Sequence, residues 1–119
     1  MDSIFHVALA SDWHAAQTSR AYHISTRDRT LADVGFIHAS YARQVAGVAN
    51  AYYAGVRGLV LLVIDRQRVL APVRDEHVSG TNDAFPHIYG PLNLDAVVDV
   101  LPFEPAEDGT FSLPNQLQT

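Results

Sequence analysis

Three histidines lie in apolar, strand-like runs: His6 in IFHVA, His38 in GFIHAS and His87 in FPHIYGPL. An imidazole donates, accepts or carries a proton near neutral pH, so three sharing one cleft would form an acid–base or anion-binding set. Each alone is equally accounted for as a partly buried strand residue bonded to a carbonyl. Strand alternation sets His6 opposite Phe5 and Val7, and His38 opposite Ile37. His14, His23 and His77 sit in more polar surroundings and read as surface groups. Three His plus water is also a catalytic zinc set. No local ligand spacing such as H-E-x-x-H is present, so no metal is expected.

Other candidates cluster around these rings. Ser40 follows His38 by two residues and would point the same way along one strand. It is also a good cap for a helix starting at Tyr41, and a strand-to-helix turn of that kind can seat a phosphate. No G-x-S-x-G elbow marks it as a hydrolase nucleophile. FPHIYGPL packs two aromatics, a His, a Gly and two Pro into eight residues. Phe85 and Tyr89 there could stack on a base or nicotinamide ring, or simply form a rigid turn with core aromatics. Glu76, beside Arg74, is the acid nearest this segment; its ordinary role would be a solvated strand end. Trp13 either packs the first helix onto the sheet or walls a pocket.

Composition narrows the partners. The 119 residues carry no Cys, which excludes disulfides, thiolate metal sites and cysteine nucleophiles. All eight cations are Arg, so Schiff-base chemistry at lysine is excluded as well. A net charge of −5 argues against gripping a phosphate backbone, making nucleic acid an unexpected partner. The longest apolar run, LVLLVI, has six residues, far short of a membrane span. No secretory signal pattern is evident in MDSIFHV, and a cytoplasmic location is expected.

The elements that must position these groups can be read from pattern. Ile4–Ala10 predicts a strand, then Ser11 and Asp12 as caps for a helix over Trp13–Arg20. Ala21–Ser25 predicts an extended piece, STRDRTLADVG a surface loop, and Phe36–Ala39 a short strand. Val45, Val48, Ala49 and Tyr52 recur at i, i+3, i+4, i+7, predicting a second helix buried on that face and ended by Gly55 and Gly58. Leu59–Ile64 predicts a strand covered on both faces. Pro72–Glu76 follows as a short strand and HVSGTND as a loop. Pro86 places Phe85–Tyr89 at an edge or strand start. GPLNLD predicts a turn and Ala96–Phe103 a strand. Asp108-Gly109 signals a hairpin returning through Phe111–Leu113, with NQLQT as a frayed tail. The pattern is a single α+β domain over residues 1–119, with two helices and a mostly antiparallel sheet.

IFHVA, Trp13, GFIHAS, QVAGVAN, LVLLVID and FPHIYGPLNLDAVVDV resemble, in order, the bacterial family known as domain of unknown function 952, from about Ile4 to Leu113. Members often have Cys where Ala39 stands and an aromatic where Asp75 stands. The family resembles in turn the ADP-ribosyltransferase superfamily, which implies a split, mostly antiparallel sheet around an NAD-binding cleft. The order of His6 and His38 is similar to that in RNA 2′-phosphotransferases, although Phe36 replaces the first residue of their His-Ile-His. That likeness implies His6 on the ribose of NAD and His38 in the same cleft.

These readings converge on a cleft with His6, His38, His87 and Glu76 as catalytic candidates. His6, Trp13, Ser40, Phe85 and Tyr89 are the candidates for holding NAD. One expectation is an enzyme, or a degenerate relative of one, acting on NAD or an ADP-ribosyl compound, with Glu76 stabilising an oxocarbenium-like centre. The alternatives are a non-catalytic module for a small anion or nucleotide, and a His-based metal site. The expected partner is a nucleotide or phosphorylated small molecule. A shared His pocket would bind phosphate more tightly as pH drops through roughly 6–7.

Overall fold

A computed structural model describes residues 2–78 and 80–117. The expected 77–83 loop and C-terminal tail fall partly outside that range, at Ser79 and at Gln118 and Thr119. The architecture grows from β6 (Leu59–Asp65), the apolar run LVLLVID. It pairs antiparallel with β1 (Ser3–Leu9) on one side and β10 (Val97–Phe103) on the other. A central strand has no solvent face, and its alternating residues feed two separate cores. Leu62 and Ile64 join Ile4, Ala8, Tyr22, Ile37 and Ile88 in one. Leu59, Leu61 and Val63 join Phe5, Val7, Leu101, Phe103 and Phe111 in the other. The strand is therefore covered on both faces, as its unbroken hydrophobicity predicts.

Helix α3 (Ala42–Tyr52) covers the second core with Val45 and Ala49. Its buried stripe runs on to Tyr53, whereas Tyr52 points outward with 58% of its surface exposed. Ser40 is not the cap. The helix starts two residues later, with Tyr41 at its N-terminus and the Gln44 Oε1 accepting the Tyr41 N–H at 2.9 Å. Helix α1 (Ala10–Ser19), by contrast, begins earlier than expected. Ser11 and Asp12 lie inside its first turn, and the Ala10 N–H donates to the Gly58 carbonyl at 2.8 Å. The acid in that turn still complements the helix dipole.

A second three-stranded sheet orders β5 (Ile37–His38), β8 (Ala84–Ile88) and β7 (Val73–His77), all antiparallel. Contrary to the edge expected from Pro86, β8 is central. The Pro86 carbonyl accepts from the Ala39 N–H at 3.0 Å. Its ring nitrogen faces the same side, opposite Ala39, so proline forgoes only the reciprocal bond of that pair, at the point where β5 ends. Short ladders join β2 (Ala21–Tyr22) to β9 (Leu92–Asn93), and β3 (Ile24–Thr26) to β4 (Arg29–Thr30).

Three further expectations are corrected. The presumed loop 25–35 carries β4 and a third, four-residue helix α2 (Leu31–Val34). Thr30 and Asp33 make a reciprocal capping box there, a signal present in T-L-A-D. Phe111–Leu113 forms no strand. Asn50 instead bonds the Phe111 backbone at both N–H (2.8 Å) and carbonyl (3.1 Å), seating its ring in the second core. Asn115–Leu117 forms a 3-10 turn rather than a frayed end.

The two large sheets meet at a single bridge, where Phe5 and Ser40 exchange both backbone bonds at 2.8 Å. One residue away the sheets part. The edge of β5 that faces the gap would be left unpaired, at a cost of about 1–3 kcal/mol for each buried group. Side chains fill it instead: His6 Nδ1 meets the His38 carbonyl at 2.5 Å, and Ser25 Oγ accepts the His38 N–H at 3.3 Å.

Candidate functional site

Sheet register explains why so many polar and aromatic residues share one surface. Cross-strand partners point to the same face, and His87 lies opposite both His38 and Arg74, while Glu76 lies opposite Phe85. Ile37, Ile88 and Val73 are register partners on the other face, which is core. A sheet with one face in the core leaves His38, His87, Phe85, Arg74 and Glu76 free for other work.

Three adjoining hollows meet at His38, which borders each of them. The first, of about 350 Å³, is mainly apolar, with Val48, Tyr52, Val78 and Phe85 in its walls and Arg43, Thr81 and Asp83 at its polar edge. The second, of about 280 Å³, runs past Phe36, His87, Ser25, Thr26 and Arg29. Tyr52 and Val78 border both, so the two are lobes of one cleft. The third is a recess of about 10 Å³ above His6 and Ser40. It has room for one water at most.

His6 thus lies beneath the cleft floor and not in it. It is 3% exposed, with Nδ1 at the His38 carbonyl and Nε2 at the Tyr22 hydroxyl, 3.0 Å away. A carbonyl only accepts, so Nδ1 carries the proton and Nε2 accepts from Tyr22. Burial lowers the His6 pKa to about 4, outweighing its bond to the His38 carbonyl, and it raises that of Tyr22. Both groups stay neutral, and both His6 nitrogens are committed. Ser40 is also buried, and its backbone makes the bridge to β1.

His38 and His87 face the cleft itself, with ring centroids 5.5 Å apart. Burial, then the nearby His6 and His87 rings, lower the His38 pKa to about 4. It is neutral at physiological pH, so the expected gain of phosphate affinity through pH 6–7 does not come from this ring. His87 is 4% exposed, lies flat against Phe36 at 3.9 Å, and places Nδ1 2.9 Å from Glu76 Oε1. The Nε2 atoms of His38 and His87 are both buried, and neither has a hydrogen-bond partner among the described residues.

The remaining candidates separate. Phe85 borders the first lobe, 5.2 Å from the His38 ring. Glu76 does not border the cleft. Its Oε1 accepts from both His87 and the Tyr89 hydroxyl, and these bonds hold its carboxyl below the usual range. Tyr89 is turned toward Glu76, with the Arg74 guanidinium over its ring. Trp13 packs beside Tyr22 against the first core, away from all three hollows. Reasoning from sequence missed Arg29, Arg43, Tyr52 and Asp83. Phe36 had a signal, since it precedes His38 by two and alternation puts both on one face. Arg43 and Asp83 meet across 40 positions, as a bidentate pair that Gln44 joins, and no local pattern reveals it.

Among the described residues, no group of three or more His, Asp or Glu side chains is placed to share a metal ion. No described helix is long and apolar enough to cross a membrane.

The crystal structure of protein CC0527 from Caulobacter crescentus is similar over 99% of this chain and 100% of its own, at 29% identity and a TM-score of 0.86. The solution structure of the same protein gives 30% identity and a TM-score of 0.80, covering 99% and 98%. No curated protein matches the chain. Neither the family description nor these structures carries an ADP-ribosyltransferase assignment. The model of a protein family of unknown function, DUF952, matches residues 7–100, and the chain belongs to that family.

Proposed function

We propose that the cleft binds a nucleotide of the NAD or ADP-ribose class, and holds it without breaking the nicotinamide–ribose bond. One observation carries the reading: two buried imidazole nitrogens, Nε2 of His38 and of His87, lack partners among the described residues, on rings that border the same cavity. A buried polar atom left unpaired costs about 1–3 kcal/mol, which a ligand recovers by bonding to it. The lobes of about 350 and 280 Å³ are the size of small-molecule sites. The apolar lobe with Phe85 and Tyr52 suits a planar ring, and Arg29 at the rim of the other suits a phosphate. The sequence resemblance to the ADP-ribosyltransferase superfamily supplies the ligand class.

The carboxylates favour binding over cleavage. An oxocarbenium-like centre needs an anion beside it. Among the described residues only Asp83 borders the cleft as a carboxylate, and Arg43 and Gln44 already hold it. Glu76 stands behind His87.

Calorimetric titration with NAD and with ADP-ribose, followed by chromatography for free nicotinamide, tests both halves. Saturable binding is expected with a Kd below about 1 mM, or some 4 kcal/mol, weakened in His38→Ala. Absence of heat with both ligands at millimolar concentration refutes the reading. Steady nicotinamide release refutes the claim of binding without cleavage and restores an enzyme.

A further inference from the structure

The surroundings of His87 fix more than its position. Its Nδ1 lies 2.9 Å from Glu76 Oε1, and the Tyr89 hydroxyl donates to that same oxygen. A carboxylate can only accept, so the proton of the bond sits on Nδ1. Nothing beside the buried Nε2 accepts a second proton's bond among the described residues, and in the tautomer with its proton on Nδ1 the ring presents a lone pair at Nε2. The flat stack on Phe36, 3.9 Å and 17° between planes, holds the ring against a flip that would put carbon in place of each nitrogen. Nε2 is buried without a partner among the described residues, on a residue that borders the second lobe. What meets it must be a donor. A fully ionised phosphate offers only acceptors, whereas a sugar hydroxyl offers a proton.

We infer that Glu76 and Tyr89 are positioning residues that fix His87 with its proton on Nδ1, so that Nε2 in the second lobe takes a sugar hydroxyl, while a phosphate is left to Arg29 at the rim. Glu76 acts on the ligand only through His87, and Tyr89 acts only through Glu76. The ligand part of this inference rests on the nucleotide reading above; the protonation pattern does not.

Nitrogen-15 NMR of the imidazoles in the intact chain separates the two. In the wild type, His87 should show a proton-bearing Nδ1 and a bare Nε2. Glu76→Ala should move the proton partly or wholly to Nε2, and Tyr89→Phe should shift the same signals less. A merely structural Glu76 would leave them unmoved. A proton on Nε2 in the wild type, or an unchanged pattern in Glu76→Ala, overturns the inference.

Titration then uses ribose 5-phosphate and inorganic phosphate as probes. Ribose 5-phosphate should bind about tenfold more tightly, the worth of one good hydrogen bond, and Glu76→Ala should erase most of that preference. Equal or tighter binding of inorganic phosphate overturns the hydroxyl assignment. If His87 shows the stated protons and ADP-ribose does not bind, the positioning role stands and the nucleotide reading falls.

Discussion

Acidification should destabilise this protein before its carboxylates titrate, because two imidazoles are held neutral by the fold. The His6 and His38 pKa values fall from 6.5 to about 4, chiefly through burial. Between those limits the unfolded chain binds protons that the folded chain refuses, so stability falls as pH falls and is flat above the window. One pKa unit is worth about 1.4 kcal/mol, so between pH 6.5 and about pH 5 each ring forfeits roughly 2 kcal/mol. The two together cost about 3–4 kcal/mol, a large part of the roughly 5–15 kcal/mol that stabilises a domain of this size. Urea melts at about pH 7.5 and about pH 5 should differ in midpoint by roughly 1–4 M, at an ordinary slope of about 1–3 kcal/mol per M. His6→Gln should remove about half of the pH dependence, since Gln does not titrate. It should also cost about 2–4 kcal/mol at neutral pH by disturbing bonds to the His38 carbonyl and the Tyr22 hydroxyl. A wild-type midpoint unchanged between those two pH values would refute the account of His6 as a neutral prop for the parted sheets. Carboxylates held low by hydrogen bonds, such as Asp75 and Glu76, lose their contribution only at lower pH.

Other outcomes follow from packing. A Cβ added at Gly90 would stand 2.8 Å from the Ala71 Cβ, so Gly90→Ala should cost about 1–3 kcal/mol in a chemical melt. Adding Ala71→Gly should restore most of that loss; if the double variant is no better than the single, the contact is not the cause. Asn50→Ala severs both bonds to the Phe111 backbone. It should cost about 1–2 kcal/mol and speed proteolysis after residue 110, while leaving ligand binding unchanged. Leu62→Ala, in the middle of β6, should cost about 3–5 kcal/mol by thermal or urea melting; a loss under about 1 kcal/mol would contradict its place in the first core.

Among the elements, the most legible were those where one strong signal acts alone. LVLLVID announces a strand with no wet face, and the spacing of Val45 and Ala49 announces a helix with one. The misreadings came where two local signals competed. Ser40 looks like a cap, but its backbone is drawn into the bridge with Phe5, and the helix waits until residue 42. Pro86 looks like an edge residue, yet it lies opposite Ala39 where the short β5 ends, and the central strand forgoes a single bond there. Phe111 looks like a returning strand, yet two bonds from Asn50 satisfy its backbone without a ladder.

For the site, residue type alone marked His6, His38 and His87, since rings in apolar runs must be bonded or used. The sequence by itself also determined the absence of cysteine and lysine chemistry. Only the tertiary structure divided the work among the three rings. His6 fell under the floor because the sheets part at its position, and the orphaned carbonyl of His38 demands a donor there. The Nδ1 of His87 is tied down because Glu76, 11 positions earlier, lies beside it across the β7–β8 ladder. Periodicity tells which face a residue occupies, since it depends on the residue's own strand or helix. Which neighbours meet there depends on the register between strands, and that is set by the whole fold.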